Sequence, residues 1–258
     1  MTGPLQARSV VLPELVAHRG NAADFPENTL PAFASALDGG IRWVELDVQL
    51  SADGVPFVVH DAHLERTTRS SGDLRLLPAS ALDDVDAGEP QRFGELHRGV
   101  KLPRLQAFAG LLARHPAARA FIELKRASLA HHGAVPCLER VLDALAAVAD
   151  RCVPISFDAA AVAAARAATG RPVGWVIDRF DAASQQTLAS LRPEYVFYDY
   201  LKLPPGDASL PPGPWRWAAY EVKDAARALA EVRRGAALVE SMAPLHLLAG
   251  LQSALAQA

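Results

Sequence analysis

Short runs rich in β-branched and aromatic residues alternate along the chain with longer stretches rich in Ala and Leu. The short runs predict strands at Leu15–Ala17, Trp43–Gln49, Phe121–Leu124, Val153–Ser156, Val173–Val176, Tyr195–Tyr198, Trp215–Ala219 and Ala237–Val239, eight in all. The stretches between them predict helices at Thr29–Asp38, Leu105–His115, Leu138–Ala149, Ala159–Ala168, Ala183–Leu191, Val222–Arg234 and Leu245–Gln257. Strand and helix in strict alternation is the pattern of parallel strands joined by crossover helices. With eight strands it implies an α/β fold, a (β/α)8 TIM barrel.

Two connections depart from that plan. From about Phe57 to Pro103 the chain is too long for one crossover helix; it carries its own strand, PFVVH, and then the turn-rich DAGEPQRFGE. We read it as a small insert after the second strand, within a single domain covering residues 1–258. Between the sixth and seventh strands the helix is replaced by LKLPPGDASLPPGP.

Composition narrows the function. With 258 residues, half of them hydrophobic, the chain can bury a large core. The formal charge of −3 supplies no basic field for nucleic acid or an anionic membrane, so a small-molecule partner is expected. Two cysteines, Cys137 and Cys152, are too few for a disulfide framework and read as buried thiols in a reducing compartment. The N-terminus has no apolar run of signal-peptide length, and no later stretch is long enough to span a bilayer. A cytoplasmic protein without stable membrane insertion is the expectation, with its oligomeric state open.

Polar residues gather where the strands end. His18, Arg19 and Gly20 follow the first strand, Glu45 and Asp47 lie in the second, His60 and Asp61 end the strand of the insert, and Glu123 and Lys125 close the third. Strand ends in a barrel open on one face, so these residues should converge. Glu45 and Asp47 alternate with Val44, Leu46 and Val48, which turns both carboxylates to one side, the lumen or its mouth. Two carboxylates there require a cation or basic partners. Glu123 adds a third, and an all-oxygen set suits a hard divalent cation, Mg²⁺ or Ca²⁺. An ordinary salt-bridged strand face is the alternative for the carboxylates, and an interior structural role for His18 or His60 taken singly.

Such a set fits phosphodiester hydrolysis. A cation offsets charge on the phosphoryl oxygens, two histidines divide acid and base roles, and Arg19 and Lys125 add fixed positive charge. Arg19 could equally pair with Glu27 or Glu45, and Lys125 could simply neutralise Glu123.

The segments VAHRGNAADFPENTLPAF, VELDVQLSADGVPFVVHDAHLERTT and FIELK resemble the HRG, PENT, ExD, HDxxLxRTT and E(I/L)K signatures of the glycerophosphodiester phosphodiesterase family, nearly continuously over residues 16–68. The resemblance implies a (β/α)8 barrel with a small insert, Glu45, Asp47 and Glu123 as metal ligands, His18 and His60 as the acid/base pair, and Arg19 and Lys125 as phosphate contacts. It further implies that Glu27 and Asn28 brace the first loop and that Asp61 orients His60. The expected reaction releases glycerol 3-phosphate and an alcohol; the alternatives are a lysophospholipase D-like substrate or a catalytically silent anion-binding barrel. The last strands depart from the family pattern, with Ser241 and Met242 at its usual Thr-Asp step. That leaves Trp175, Tyr198, Tyr220 and Glu240 as residues that could line the alcohol side, with core packing favoured for the aromatic ones.

Overall fold

The computed structural model describes residues 12–202 and 208–257. The N-terminal eleven residues and the middle of the Pro/Gly-rich connection lie outside this range. Nine strands are described: β1 (Glu14–His18), β2 (Trp43–Leu50), β3 (Pro56–Val58), β4 (Arg119–Leu124), β5 (Cys152–Ser156), β6 (Gly174–Ile177), β7 (Tyr195–Asp199), β8 (Arg216–Tyr220) and β9 (Ala236–Ser241). Eight of them, all but β3, are parallel to their neighbours and run β1-β9-β8-β7-β6-β5-β4-β2, with β2 returning to β1. The ring is closed, a (β/α)8 TIM barrel.

Alternation along each strand divides the core in two. Val16, Trp43, Phe121, Ile155, Tyr195 and Phe197 fill the lumen, where Trp43 and Phe121 stack with ring centroids 4.4 Å apart. This packed floor confines any site to the mouth. Val44, Leu46 and Val48 face outward onto helices that include Leu30–Asp38 and Leu105–Ala113. Several helices begin on side chains that accept backbone N–H bonds: Thr29, Asp158, Asp181 and Asp224. Such a cap contributes about 1 kcal/mol.

The sequence pattern places the bounds of the barrel strands to within two residues, and four details differ. The predicted helix Leu138–Ala149 is an α-helix over Ala134–Ala144 followed by a 3₁₀ segment, Ala146–Arg151. The helix expected from Val222 starts at Ala225, where Asp224 caps it. A short helix, Arg126–His132, follows β4 directly, without an apolar periodicity to announce it. The insert holds a 3₁₀ turn and two one-turn helices, Ala79–Leu82 and Pro90–Phe93, over a small core of Phe57, Val59, Leu64, Leu74, Leu82 and Leu102.

The position of β3 is the structural point that matters most for the site. One edge of β2 is occupied by β4 from Trp43 to Val48. The other edge is shared: β1 pairs with Trp43–Glu45, and β3, running antiparallel, pairs with Val48–Leu50. The ends of β1 and β3 therefore approach each other head on over Glu45 and Asp47. His60 reaches the barrel mouth through this returning hairpin, not as the C-terminal residue of a parallel barrel strand.

Candidate active site

Strand register brings the acidic and basic residues together. His18 is the Cα partner of Glu45, Asp47 of Glu123, and Val16 of Glu240. Inward alternation then directs His18, Glu45, Asp47, Glu123 and Glu240 into one space, and all five are buried. The turn after β1 depends on its glycine: Arg19 and Gly20 have φ of 56° and 86°, and a Cβ on Gly20 would lie 2.6 Å from the Ala32 carbonyl carbon.

The two basic residues beside this cluster are held by its carboxylates. Arg19 Nη1 donates to Glu27 Oε1 at 3.0 Å, while its Nε lies 3.0 Å from Asp47 Oδ2. Lys125 Nζ lies 2.8 Å from Glu123 Oε1 and 3.1 Å from Asp47 Oδ1. Neither Arg19 Nε nor Asp47 Oδ1 is aligned for a hydrogen bond, so these close approaches are ion pairs only. Arg19 pairs with Glu27 and Asp47, where the sequence offered Glu27 or Glu45.

The PENT segment does brace the loop. Asn28, at φ 58°, donates from Nδ2 to Asp47 Oδ2 at 2.8 Å, and Asp47 N donates back to Asn28 Oδ1 at 3.3 Å. Glu27 accepts two bonds from Arg66, at 2.7 and 2.9 Å, and Arg66 Nε donates to Asp61 Oδ2. Asp61 in turn holds His60 Nδ1 at 2.6 Å, leaving Nε2 free to point elsewhere. Arg66 thus ties the first loop to the His60 loop. Its signal was present in the RTT of the HDAHLERTT segment, but periodicity assigns it nothing. Glu89 of the insert accepts the Glu27 N–H, a contact no local pattern foretells.

Burial and mutual repulsion dominate the electrostatics of the cluster. Burial, then the charges of Asp47, Glu240 and Glu123, push Glu45 well above the ordinary carboxylate range. Burial and the charge of Glu123 do the same to Glu240. Glu123 is pushed up to about 7 by burial, with Lys125 pulling the other way. Asp47 is the exception: burial opposes its ionisation, but Lys125 and Arg19 hold it far below the usual range. Burial, reinforced by Arg19, keeps His18 below the normal imidazole value, and burial lowers His60 as well.

Several buried atoms have no hydrogen-bond partner: His18 Nδ1, Glu45 Oε1, Asp47 Oδ1 and Glu240 Oε1. Unpaired buried oxygens at this density are costly, so the donor set fits a divalent cation. Among the described residues, two groups have ligand atoms within 4.8 Å of one another: Glu45, Asp47 and Glu123, the expected set, and His18, Glu45 and Glu240.

A chamber of about 130 Å³ is lined by His18, Glu45, His60, Glu123, Lys125, Phe157, Tyr220 and Glu240. A wider groove of about 590 Å³, with Asp61, Arg66, Arg126 and Asp178 in its wall, shares His60, Glu123, Lys125 and Phe157 with it. Of the residues considered for the alcohol side, Tyr220 and Glu240 line the chamber. Trp175 and Tyr198 instead pack between barrel and helices, where Tyr198 Oη donates to Glu231 at 2.7 Å.

A closed barrel with buried carboxylates, paired cations and two histidines at its mouth defines a TIM barrel with a site suited to a divalent cation and an anionic substrate. The chain belongs to the glycerophosphoryl diester phosphodiesterase family, whose model matches residues 18–206. It is 40% identical over 91 residues to a glycerophosphodiester phosphodiesterase of Caldanaerobacter subterraneus, covering 35% of this chain and 37% of that protein. A second relative of the same name, from Bacillus altitudinis, is 36% identical over 120 residues, covering 46% of this chain and 48% of that protein. These matches therefore span less than half the length of either relative. Across the whole fold, the chain is similar to an Oleispira antarctica phosphodiesterase solved with its product sn-glycerol-3-phosphate: TM-score 0.81, 24% identity, 93% of this chain and 97% of that one. A glycerophosphodiester phosphodiesterase from Agrobacterium tumefaciens gives TM-score 0.72 at 25% identity, over 92% of this chain and all of that one.

Proposed function

We propose that the protein hydrolyses glycerophosphodiesters to glycerol 3-phosphate and an alcohol in a reaction dependent on a divalent cation. The observation that carries this reading is the juxtaposition of unpaired buried carboxylate oxygens with two histidines around one small chamber. Family membership and the names of the relatives support it.

Glu45, Asp47 and Glu123 would hold the cation, and the all-oxygen set favours Mg²⁺ or Ca²⁺. When bound, it supplies positive charge to the phosphoryl oxygens. Arg19 and Lys125 bind the same phosphate and keep the carboxylates oriented. His18 and His60 act as the acid/base pair: one takes the proton of the attacking water while the other protonates the leaving alkoxide. Both are held below the ordinary imidazole value, so at neutral pH the base form is available. Asp61, bonded to His60 Nδ1, is a positioning residue that presents Nε2 to the chamber. The phosphoryl end of the substrate occupies the chamber and the rest extends into the wider groove.

Among the described residues no helix is long and apolar enough to cross a membrane. Cys137 and Cys152 are buried and unbridged, as thiols in a reducing, cytoplasmic setting would be. The test is incubation with a panel of glycerophosphodiesters, with and without EDTA, following glycerol 3-phosphate. Release that stops with EDTA and returns with Mg²⁺ or Ca²⁺ supports the reading; no release from any member of the panel overturns it.

A further inference from the structure

Glu240 is the least explained residue of the mouth. It comes from β9, it is buried, and its Oε1 has no partner. Its neighbour His18 approaches Glu45 through Nε2, 3.8 Å from Oε2, and the two residues each also have a buried atom without a hydrogen-bond partner, Nδ1 and Oε1 respectively. All three side chains line the same chamber and offer ligand atoms within 4.8 Å of one another. The two basic residues do not relieve Glu240, since Arg19 is engaged by Glu27 and Asp47, and Lys125 by Glu123 and Asp47. Four buried carboxylates, Glu45, Asp47, Glu123 and Glu240, therefore face two fixed cations. One divalent ion on the Glu45, Asp47 and Glu123 side balances this charge overall but leaves the Glu240 side without a positive partner.

We infer that His18, Glu45 and Glu240 form a second cation position, adjacent to the first and sharing Glu45, that takes a borderline divalent ion of the Zn²⁺ or Co²⁺ class. The imidazole nitrogen sets the class: hard Mg²⁺ and Ca²⁺ prefer the all-oxygen group, while Zn²⁺ and Co²⁺ accept mixed nitrogen and carboxylate ligands. A ligating His18 nitrogen cannot also carry a proton, so filling this position withdraws that nitrogen from proton transfer. That kinetic consequence rests on the proposed acid/base role; the binding site does not.

The experiment titrates Co²⁺ into the full chain saturated with Mg²⁺, following visible d–d absorption and the retained Mg²⁺. One further equivalent of Co²⁺ should enter while Mg²⁺ stays. Glu240→Gln and His18→Ala should each weaken Co²⁺ uptake at least about tenfold, since even outer partners of metal ligands are worth that much. Glu240→Asp, which keeps the charge but shortens its reach, serves if the Gln variant does not fold, and should weaken uptake in the same direction. Absence of a further equivalent, Co²⁺ entering only as Mg²⁺ leaves, or uptake indifferent to both residues would each overturn the inference. Co²⁺ uptake that depends on His18 and Glu240 in a protein that binds no Mg²⁺ would support it while sinking the hard-cation assignment.

Discussion

Asn28 and Asp47 are locked in a reciprocal pair: the Asn28 amide donates to the Asp47 carboxylate at 2.8 Å, and the Asp47 backbone N–H donates back at 3.3 Å. The pair joins the loop after β1 to the strand that carries two of the four clustered carboxylates, Glu45 and Asp47. It also uses a residue type that tolerates the left-handed backbone found there, φ 58°. Asn28→Ala leaves a buried carboxylate oxygen and N–H short of partners and strains the loop, so it should cost about 1–3 kcal/mol. Denaturant titration measures the loss, and an unchanged midpoint would show the pair to be incidental. Metal affinity should fall in parallel, since Asp47 loses its orientation.

Chelation should both stop turnover and soften the protein. A cation that binds only the folded state adds stability by mass action, about 2.7 kcal/mol at a hundred times its Kd. Melting with EDTA, then with Mg²⁺ or Ca²⁺ restored, should show an upward shift that Asp47→Ala abolishes. A melting temperature indifferent to all of these would remove the metal from the fold.

The histidines should separate from their supports. His18→Ala and His60→Ala should each lower kcat about a hundredfold or more, the usual cost of a lost acid or base. Asp61→Asn weakens the acceptor shared by His60 Nδ1 and Arg66 Nε, and through His60 it should lower kcat and move the pH profile with little change in KM. If Asp61→Asn changes KM and leaves the profile in place, the Asp61–His60 bond does not serve catalysis.

How far this site was legible in sequence differs residue by residue. Glu45, Asp47 and Glu123 were readable because a strand's period of two sorts inward from outward positions using only neighbours in sequence. His60 was assigned to the correct rim for an incomplete reason, because the antiparallel return of β3 along the free edge of β2 is a pairing choice that local pattern does not encode. Glu240 could be noticed on its strand, but its membership of the cluster follows from closure of the ring, which puts β9 beside β1. Arg66 and Glu89 act through contacts 39 and 62 residues away, beyond any periodicity.

The raised proton affinity of Glu123 should be visible in the metal-free protein. Its carboxyl moves from an ordinary 4.5 to about 7 in the fold, so between those values the native state keeps a proton that the unfolded chain has released. Its contribution to stability therefore falls as pH climbs through that window. Asp47 has the opposite sign: held low in the fold, it adds stability that is lost as pH drops below its ordinary 3.8. In the presence of EDTA, the melting temperature should fall less from pH 5 to 7 in Glu123→Gln than in the parent. In the parent, apparent Mg²⁺ affinity should rise over the same range as the proton is displaced. A pH-independent affinity would mean that Glu123 is already ionised.

Lys125 distinguishes two roles that the sequence left open. Its ammonium sits between Glu123 and Asp47, at 2.8 and 3.1 Å, with only a small part of the side chain exposed. There it is a counter-charge, and burial notwithstanding, the two carboxylates hold it charged above its ordinary range. A divalent ion bound by the same carboxylates takes over their neutralisation and repels the ammonium, and the substrate phosphate is the anion that can then hold it. Lys125 should therefore change roles with metal occupancy. Lys125→Met should destabilise the EDTA-treated protein markedly, by about 3–5 kcal/mol where one partner of a buried pair is removed. With saturating Mg²⁺ most of that loss should vanish, while kcat/KM stays low because charge on the phosphoryl oxygens has lost one of its stabilisers. Melting curves with and without metal, set beside kinetics at saturating metal, separate the cases. Equal destabilisation in both conditions with normal turnover would leave Lys125 as a structural counter-charge alone.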